Sequence, residues 1–208
     1  MLSFRDIRTL ADAAEWTASL QTRWPERIEV MQHIVAQLKA LPFPAPQVVE
    51  LAPGPGLLAE LLLRELPKMN YTGFDSSELL LALAQSHLAP FGPRVRLIEA
   101  DLNGDAWPAQ LPDEVHAIIC LQAMHDLGEE SHINRMYGLV RRLLVPGGLF
   151  LNADFVVSPG QRDSERPGRL SIPRHLELLQ AHGFERTACT LELGEFGCCV
   201  AFAPATPL

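Results

Sequence analysis

The stretch Val48-Val49-Glu50-Leu51-Ala52-Pro53-Gly54-Pro55-Gly56-Leu57-Leu58 limits the fold more than any other part of the chain. An apolar run of strand type ends in an acid, passes a Gly-Pro-Gly turn and opens into a leucine-rich helix. Glycines at such a turn let backbone come close to a ligand, and the helix behind them points its free N–H groups at it. That unit belongs at the carboxyl end of the first strand of an open α/β sheet, where nucleotide-like ligands are held.

The rest of the chain alternates in the same way. Pro25 opens a helical pattern in which Val30, Met31, Ile34, Val35 and Leu38 recur at helical spacing. Leu41-Pro42-Phe43-Pro44-Ala45-Pro46 cannot continue it and reads as a stiff linker. Strand Gln47–Leu51 then leads to helix Leu57–Leu66, and strand Tyr71–Phe74 leads to helix Ser77–His87. Strands Val95–Ile98 and Val115–Leu121 follow. A helix over Glu129–Leu144 carries Ile133, Met136, Tyr137 and Val140 on one stripe and stops at Pro146-Gly147-Gly148, before strand Leu149–Phe155. Val156–Ser171 has no periodicity. Helix Pro173–Ala181 ends at Gly183, and two β-rich runs, Glu185–Leu193 and Phe196–Ala203, are joined by Gly194-Glu195 in a tight antiparallel turn. The pattern predicts an α/β fold with a mostly parallel sheet, helices on both faces and one antiparallel strand from the closing hairpin.

Composition excludes several classes of partner. The net charge is −8 and Arg141-Arg142 is the only adjacent basic pair, which argues against a nucleic-acid backbone. No apolar run approaches the length of a membrane span, and the first residues lack the layout of a signal peptide, so a soluble cytoplasmic protein is expected. The four cysteines contain no CxxC pair, which argues against zinc. Cys189 and Cys198 are placed to face each other across the closing hairpin; buried reduced thiols are the simpler reading.

Gly54-x-Gly56-x-x-Ala59, with Asp75 about 20 residues on, also fits the dinucleotide fingerprint, so these residues alone leave the cofactor open. Three further features narrow it: Glu50 before the turn, Asp101 after the third strand in Arg96-Leu97-Ile98-Glu99-Ala100-Asp101-Leu102, and Leu144-Val145-Pro146-Gly147-Gly148 ahead of the fifth. With them, residues 47–203 resemble the class I S-adenosylmethionine-dependent methyltransferases. The resemblance implies a three-layer Rossmann-like sheet of seven strands with the last antiparallel. It also implies one domain overall, in which a helical segment 1–46 packs on a core 47–208 and helps cover the active site.

That family's first motif is an acid followed by three glycines at alternate positions. Glu50, Gly54 and Gly56 match it, while Ala52 stands in place of the first glycine. Gly73-Phe74-Asp75-Ser76-Ser77 is similar to the second motif and Asp101-Leu102 to the third. The resemblance implies that backbone around Ala52, Gly54 and Gly56 holds the methionine portion of S-adenosylmethionine. Asp75, with Ser76 beside it, takes the ribose, and Asp101 and Leu102 take the adenine. Leu121 adds a contact at the end of the fourth strand, and Glu50 orders the loop or meets the cofactor's amino group. Arg27 stands where a basic residue of the N-terminal helix reaches the cofactor carboxylate in some relatives; a surface arginine is the alternative.

The segment Cys120-Leu121-Gln122-Ala123-Met124-His125-Asp126-Leu127 follows the fourth strand, facing the ligand crevice of such sheets. It is similar to the segment of small-molecule O-methyltransferases whose histidine is the general base, which makes His125 the catalytic candidate; a packing histidine is the alternative. His116 is assigned nothing and His132 is read as solvated. Trp16, Trp24, the loop Val156–Ser171 and its opening residues Asp154 and Phe155 are the substrate-facing candidates, with core packing the plainer reading for the tryptophans. Asn152 and Asp154 alone do not make a set of oxygen ligands, so no metal is expected. The sequence therefore reads as an S-adenosylmethionine-dependent methyltransferase acting on oxygen or nitrogen of a small molecule, with S-adenosylhomocysteine as product. No nucleic-acid or membrane partner is expected, and a homodimer is compatible. A non-catalytic binding or regulatory relative is the alternative, and a dinucleotide oxidoreductase stands third.

Overall fold

The computed structural model describes residues 2–205. Seven strands, β1 (Gln47–Leu51), β2 (Asn70–Asp75), β3 (Val95–Glu99), β4 (Ala117–Leu121), β5 (Leu149–Phe155), β6 (Glu185–Leu193) and β7 (Phe196–Phe202), form one sheet in the order β3-β2-β1-β4-β5-β7-β6. The pairs among β1 to β5 are parallel, and β7 runs antiparallel to both β5 and β6. The winding reverses between β1 and β4, and at such a reversal the carboxyl ends of the two strands open a crevice for a ligand.

Central parallel strands are covered on both faces and therefore read as near-continuous apolar runs. Successive residues sort between two cores. Val48, Tyr71, Ala117, Ile119 and Leu149 meet α2 (Arg27–Lys39) and α3 (Leu57–Glu65) through Val30, Ile34, Leu38, Leu58 and Leu62. Val49, Phe74, Ile118, Phe150 and Cys199 meet α5 (Glu130–Leu143) and α6 (Ile172–Ala181) through Ile133, Met136, Tyr137, Val140 and Leu179. Leu62 and Leu151 are fully buried, and truncating either to alanine would cost about 2–5 kcal/mol.

Helix α4 (Glu78–Leu88) packs on α3 and carries α1 (Leu10–Arg23) on its outer side. The hydrophobic pattern gave no sign of α1, which buries only Ala13 and Leu20. Its start was nonetheless encoded: Thr9 accepts from the backbone N–H of Asp12, whose carboxylate accepts from that of Thr9, a capping box.

Two local readings change. The ladder partner of Cys189 is Cys199, and Cys198 lies opposite Leu191, because irregularities in β6 at Glu185/Ala188 and Cys189/Leu191 shift the register. All four thiols are free. Strand β4 begins at Ala117, two residues later than expected; just before it, His116 Nδ1 accepts from the Gln47 backbone N–H at 3.0 Å. Gly73 has a packing reason: a Cβ there would stand 2.9 Å from both the Pro53 ring and the Tyr71 hydroxyl. Its absence lets the turn after β1 lie against β2.

Candidate active site

A cavity of about 350 Å³ opens at the carboxyl ends of the strands. Its wall on the β1–β2 side is mostly backbone. Ala52, Gly54 and Gly56 have φ of 55°, 56° and 79°, a left-handed run that turns the chain sharply from β1 into α3. The Ala52 N–H donates to the Phe74 carbonyl at 2.8 Å. Asp75, at the end of β2, pins the turn: its Oδ2 accepts from the Gly54 N–H at 2.8 Å and its Oδ1 from the Ser77 N–H at 2.9 Å. A carboxylate has about four acceptor positions, so each oxygen keeps one free. Burial pushes the Asp75 carboxyl up, and the N–H groups of Ser77 and Gly54 pull it back down. Asp101 is exposed, two residues beyond β3, and accepts from the Asn103 N–H. Leu102 is buried and its carbonyl accepts from the Trp107 indole at 3.2 Å.

Ala52, Gly54, Asp75, Ser76, Asp101, Leu102, Leu121 and His125 all line the cavity; Glu50 and Gly56 do not. A Cβ on Gly56 would stand 3.1 Å from that of Ala84, so this glycine seats α3 on α4. Glu50 lies behind the turn, where the Tyr71 hydroxyl donates to it at 2.7 Å. Burial raises its carboxyl to about 7, against the opposing pull of Tyr71 and Arg27. Arg27 lines the cavity and is only 8% exposed. Its Nη1 donates to the Gln122 side chain, while its Nε is buried without a partner. Burial lowers its guanidinium to about 10, and Glu50 acts the other way.

The opposite wall is made of side chains. His125 sits in a single 3₁₀ turn, Met124–Asp126, and is 6% exposed. Its Nδ1 is 2.6 Å from Asp154 Oδ1, and its backbone N–H donates to Asp154 Oδ2 at 2.8 Å. An ionised carboxylate has no proton to give, so Nδ1 carries the hydrogen and Nε2 is left facing Asp126 Oδ2 at 3.2 Å. Burial alone would depress the imidazolium. The charge and hydrogen bond of Asp154 and the charge of Asp126 together outweigh it and hold His125 above its ordinary value, with Arg169 opposing them. Asp126 Oδ1 accepts from Arg5 at 2.9 Å and from Arg166 at 2.7 Å. The Phe155 ring lies 5.4 Å from that of His125 and 5.6 Å from that of Trp24. Gly168 presses the loop onto this wall: a Cβ there would come 2.5 Å from the carbonyl oxygens of His125 and Gly128.

Several cavity residues were given no role of their own in the sequence reading: Gln122, whose φ is 59°, Arg5, and Arg166 and Arg169 within the loop Val156–Ser171 that was read as substrate-facing. The pairing of His125 with Asp154 could have been found, since β4 and β5 are neighbours with Leu121 opposite Ala153. The arginines lie in segments without periodicity and gave no signal. Among the described residues no three His, Cys, Asp or Glu side chains gather as metal ligands would.

The sheet order, the glycine turn after β1 and the acid at the end of β2 define an α/β domain of the Rossmann-like type, built to hold a nucleotide-like cofactor at its switch point. Residues 48–148 match a family model described as a methyltransferase domain. Trans-aconitate 2-methyltransferase of Variovorax paradoxus is 34% identical over 137 residues, which are 65% of this chain and 48% of that protein. Acetylserotonin O-methyltransferase of Mus musculus is 32% identical over 146 residues, 67% of this chain and 35% of that one. The chain thus spans about half, or less, of the length of these curated relatives. Human N-acetylserotonin methyltransferase, solved in complex with S-adenosylmethionine, superposes with a TM-score of 0.70 over 95% of this chain and 57% of that chain; at 18% identity it shows the shared fold. Residues 48–148, nearly half of the chain, are thus a methyltransferase domain, and its fold is the one shared with that S-adenosylmethionine-bound structure.

Proposed function

We propose that the protein transfers a methyl group from S-adenosylmethionine to an oxygen or nitrogen of a small molecule, with His125 as general base. The observation that carries this reading is the buried His125–Asp154 pair at 2.6 Å, on a histidine that lines the cavity shared with Asp75 and Gly54. The residues on the other wall suit the cofactor. The two free acceptor positions of Asp75 fit two ribose hydroxyls, and the unpartnered Nε of Arg27 fits a carboxylate. Asp101 accepts from the adenine amino group, Leu102 and Leu121 pack the ring, and Ala52 and Gly54 bring backbone to the methionine portion. Ser76 stands beside Asp75, while Glu50 and Gly56 act from behind by ordering the turn. The acceptor is small, in keeping with relatives named for trans-aconitate and acetylserotonin and with a cavity near the low end of ligand sites, roughly 300–1,000 Å³.

Bound S-adenosylmethionine supplies an electrophilic methyl carbon on a sulfonium; its bond to sulfur breaks as the bond to the acceptor forms, leaving S-adenosylhomocysteine. His125 does the rest. Neutral at Nε2, it takes the proton that the acceptor hydroxyl or amine gives up. Asp154 fixes the ring orientation and tautomer, and Asp154 and Asp126 stabilise the imidazolium that results. Segment 1–46 covers the core 47–208 with Trp16, Leu20 and Trp24 and keeps water from the reacting atoms.

Calorimetric titration with S-adenosylmethionine, S-adenosylhomocysteine and NAD(H) tests the reading. Micromolar binding of the first two alone is expected. Binding of NAD(H) instead, or of none of the three, overturns it.

A further inference from the structure

The reading above leaves the acceptor's chemistry open, and the second wall speaks to it. Resting on that reading, we propose that the acceptor carries a carboxylate and that Arg169 anchors this group beside His125.

Five arginines line the cavity, and four are already engaged. Arg5 and Arg166 hold Asp126, Arg23 donates to the Leu2 carbonyl at 2.9 Å, and Arg27 donates to Gln122. Arg169 differs. Its guanidinium donates no side-chain hydrogen bond to any described residue; Asp163 Oδ2 is its nearest acid at 3.4 Å, beyond the usual 2.7–3.2 Å of an N–H···O bond. Its Nε is buried with no partner at all. A buried N–H without an acceptor is a costly arrangement, and one that a ligand oxygen would relieve, while the rest of the Arg169 side chain stays about 25% exposed.

Its place in the site is fixed. The guanidinium carbon lies 4.8 Å above the Phe155 ring, which in turn lies 5.4 Å from the His125 ring. The Arg169 backbone N–H donates to the Arg166 carbonyl at 2.8 Å, and Gly168 beside it is pressed onto the His125 and Gly128 carbonyls. Arg169 is therefore held on the base's own turn, and the planar guanidinium fork matches a carboxylate with two parallel bonds. The charge inventory favours a single negative charge. Asp126, Asp154 and Asp163 already oppose Arg5, Arg166 and Arg169 around this wall, so a dianion such as a phosphate would meet three acids. A monoanionic group adds one charge, which the guanidinium of Arg169 meets directly.

The test uses the full chain saturated with S-adenosylhomocysteine. Benzoate, 4-hydroxybenzoate, succinate and citrate are titrated by calorimetry, each against its neutral amide. At least one carboxylate is expected to bind tenfold or more tightly than its amide. Arg169→Gln is expected to abolish that ratio while S-adenosylhomocysteine affinity stays within about twofold, and Arg169→Lys to keep part of it. The inference is overturned if S-adenosylhomocysteine binds but no carboxylate outbinds its amide, or if the ratio survives in Arg169→Gln. It is equally overturned if Arg169→Gln loses S-adenosylhomocysteine binding, since Arg169 would then be holding the fold. Failure of the wild-type chain to bind S-adenosylhomocysteine is a different result: it sinks the methyl-transfer reading itself.

Discussion

The two walls of the cavity are built by opposite means. On the β1–β2 side the working groups are backbone N–H groups and one carboxylate, all within Ala52–Ser77, and a single acid, Asp75, ties them together through Gly54 and Ser77. On the β4–β5 side they are side chains drawn from four distant segments: Arg5 reaches Asp126 across 121 residues of sequence, Arg166 across 40, and Asp154 reaches His125 across 29. The first wall is a local backbone shape, so it depends on φ values and on glycines. The second exists only once the sheet has formed and the loop after β5 has folded back. In the proposed function, recognition of the cofactor falls to the first kind of wall and choice of acceptor to the second.

The largest expected effect strikes the second wall. His125→Ala should slow turnover by about 10²–10⁴-fold while leaving S-adenosylhomocysteine affinity unchanged, because the base acts on the acceptor and not on the cofactor. Single-turnover rates beside calorimetry would separate the two, and equal loss of both would break the division between walls. Next comes the first wall. Asp75→Ala removes two charge-assisted acceptors, each worth about 1.5–3 kcal/mol, so S-adenosylhomocysteine affinity should fall by roughly 100-fold or more. The melting temperature should fall as well, since the Gly54 and Ser77 N–H groups lose their partner.

A smaller effect concerns pH. His125 must be neutral to accept a proton, and Asp154 and Asp126 hold its pKa above the ordinary histidine value, so activity should rise with pH through that elevated pKa. Asp126→Asn removes one of the charges that favour the imidazolium and should move the rising limb to lower pH; a limb that stays in place would show that Asp126 only ties Arg5 and Arg166 together. Stability runs the opposite way. A folded pKa above the unfolded one contributes stability that is full below the unfolded value and is lost as pH rises through the folded one. Glu50, raised to about 7 by burial, adds the same trend between the ordinary carboxylate range and about pH 7. His125 and Glu50 therefore pull the melting temperature down between pH 6 and pH 8, while Cys189, lowered to about 7 chiefly by its contact with Cys199, pulls it up above pH 7.

The same division explains what the sequence disclosed. The mostly parallel sheet with one antiparallel strand followed from alternation and the closing hairpin, because parallel strands covered on both faces leave apolar runs that are hard to mistake. The turn after β1 was legible because a left-handed run leaves glycines behind, and Asp75 because it ends a strand at a fixed distance from that turn. Helix α1 lies in the segment 1–46 that was read as helical but was given no bounds, since it buries one alanine and one leucine, although Thr9 and Asp12 announced its start. Cys189 was matched with the wrong partner because a register shift in β6 leaves no mark on composition. The loop Val156–Ser171 was read as substrate-facing, but Arg166 and Arg169 could not be singled out within it: their meaning comes from Gly168 landing on the His125 turn, a contact between residues some 40 apart that no local pattern records.

Ala52 is where the comparison can be sharpened most finely. It adopts φ 55° with a side chain, at the one alternate position of the turn where glycine is missing. A left-handed conformation costs an L-residue roughly 1–2 kcal/mol, part of which glycine gives back through the greater freedom of its unfolded chain. Ala52→Gly should therefore raise stability by up to about 1 kcal/mol, which is about 2–4 °C in melting temperature for a domain of this size. If the first wall works through backbone alone, cofactor affinity should change by less than about threefold, because the N–H of residue 52 keeps its bond to the Phe74 carbonyl whichever residue stands there. Tenfold tighter S-adenosylhomocysteine binding in Ala52→Gly would mean that the alanine methyl intrudes on the ligand. The two walls would then share a dependence on side chains, and the small cost in strain at residue 52 would be a setting of cofactor affinity.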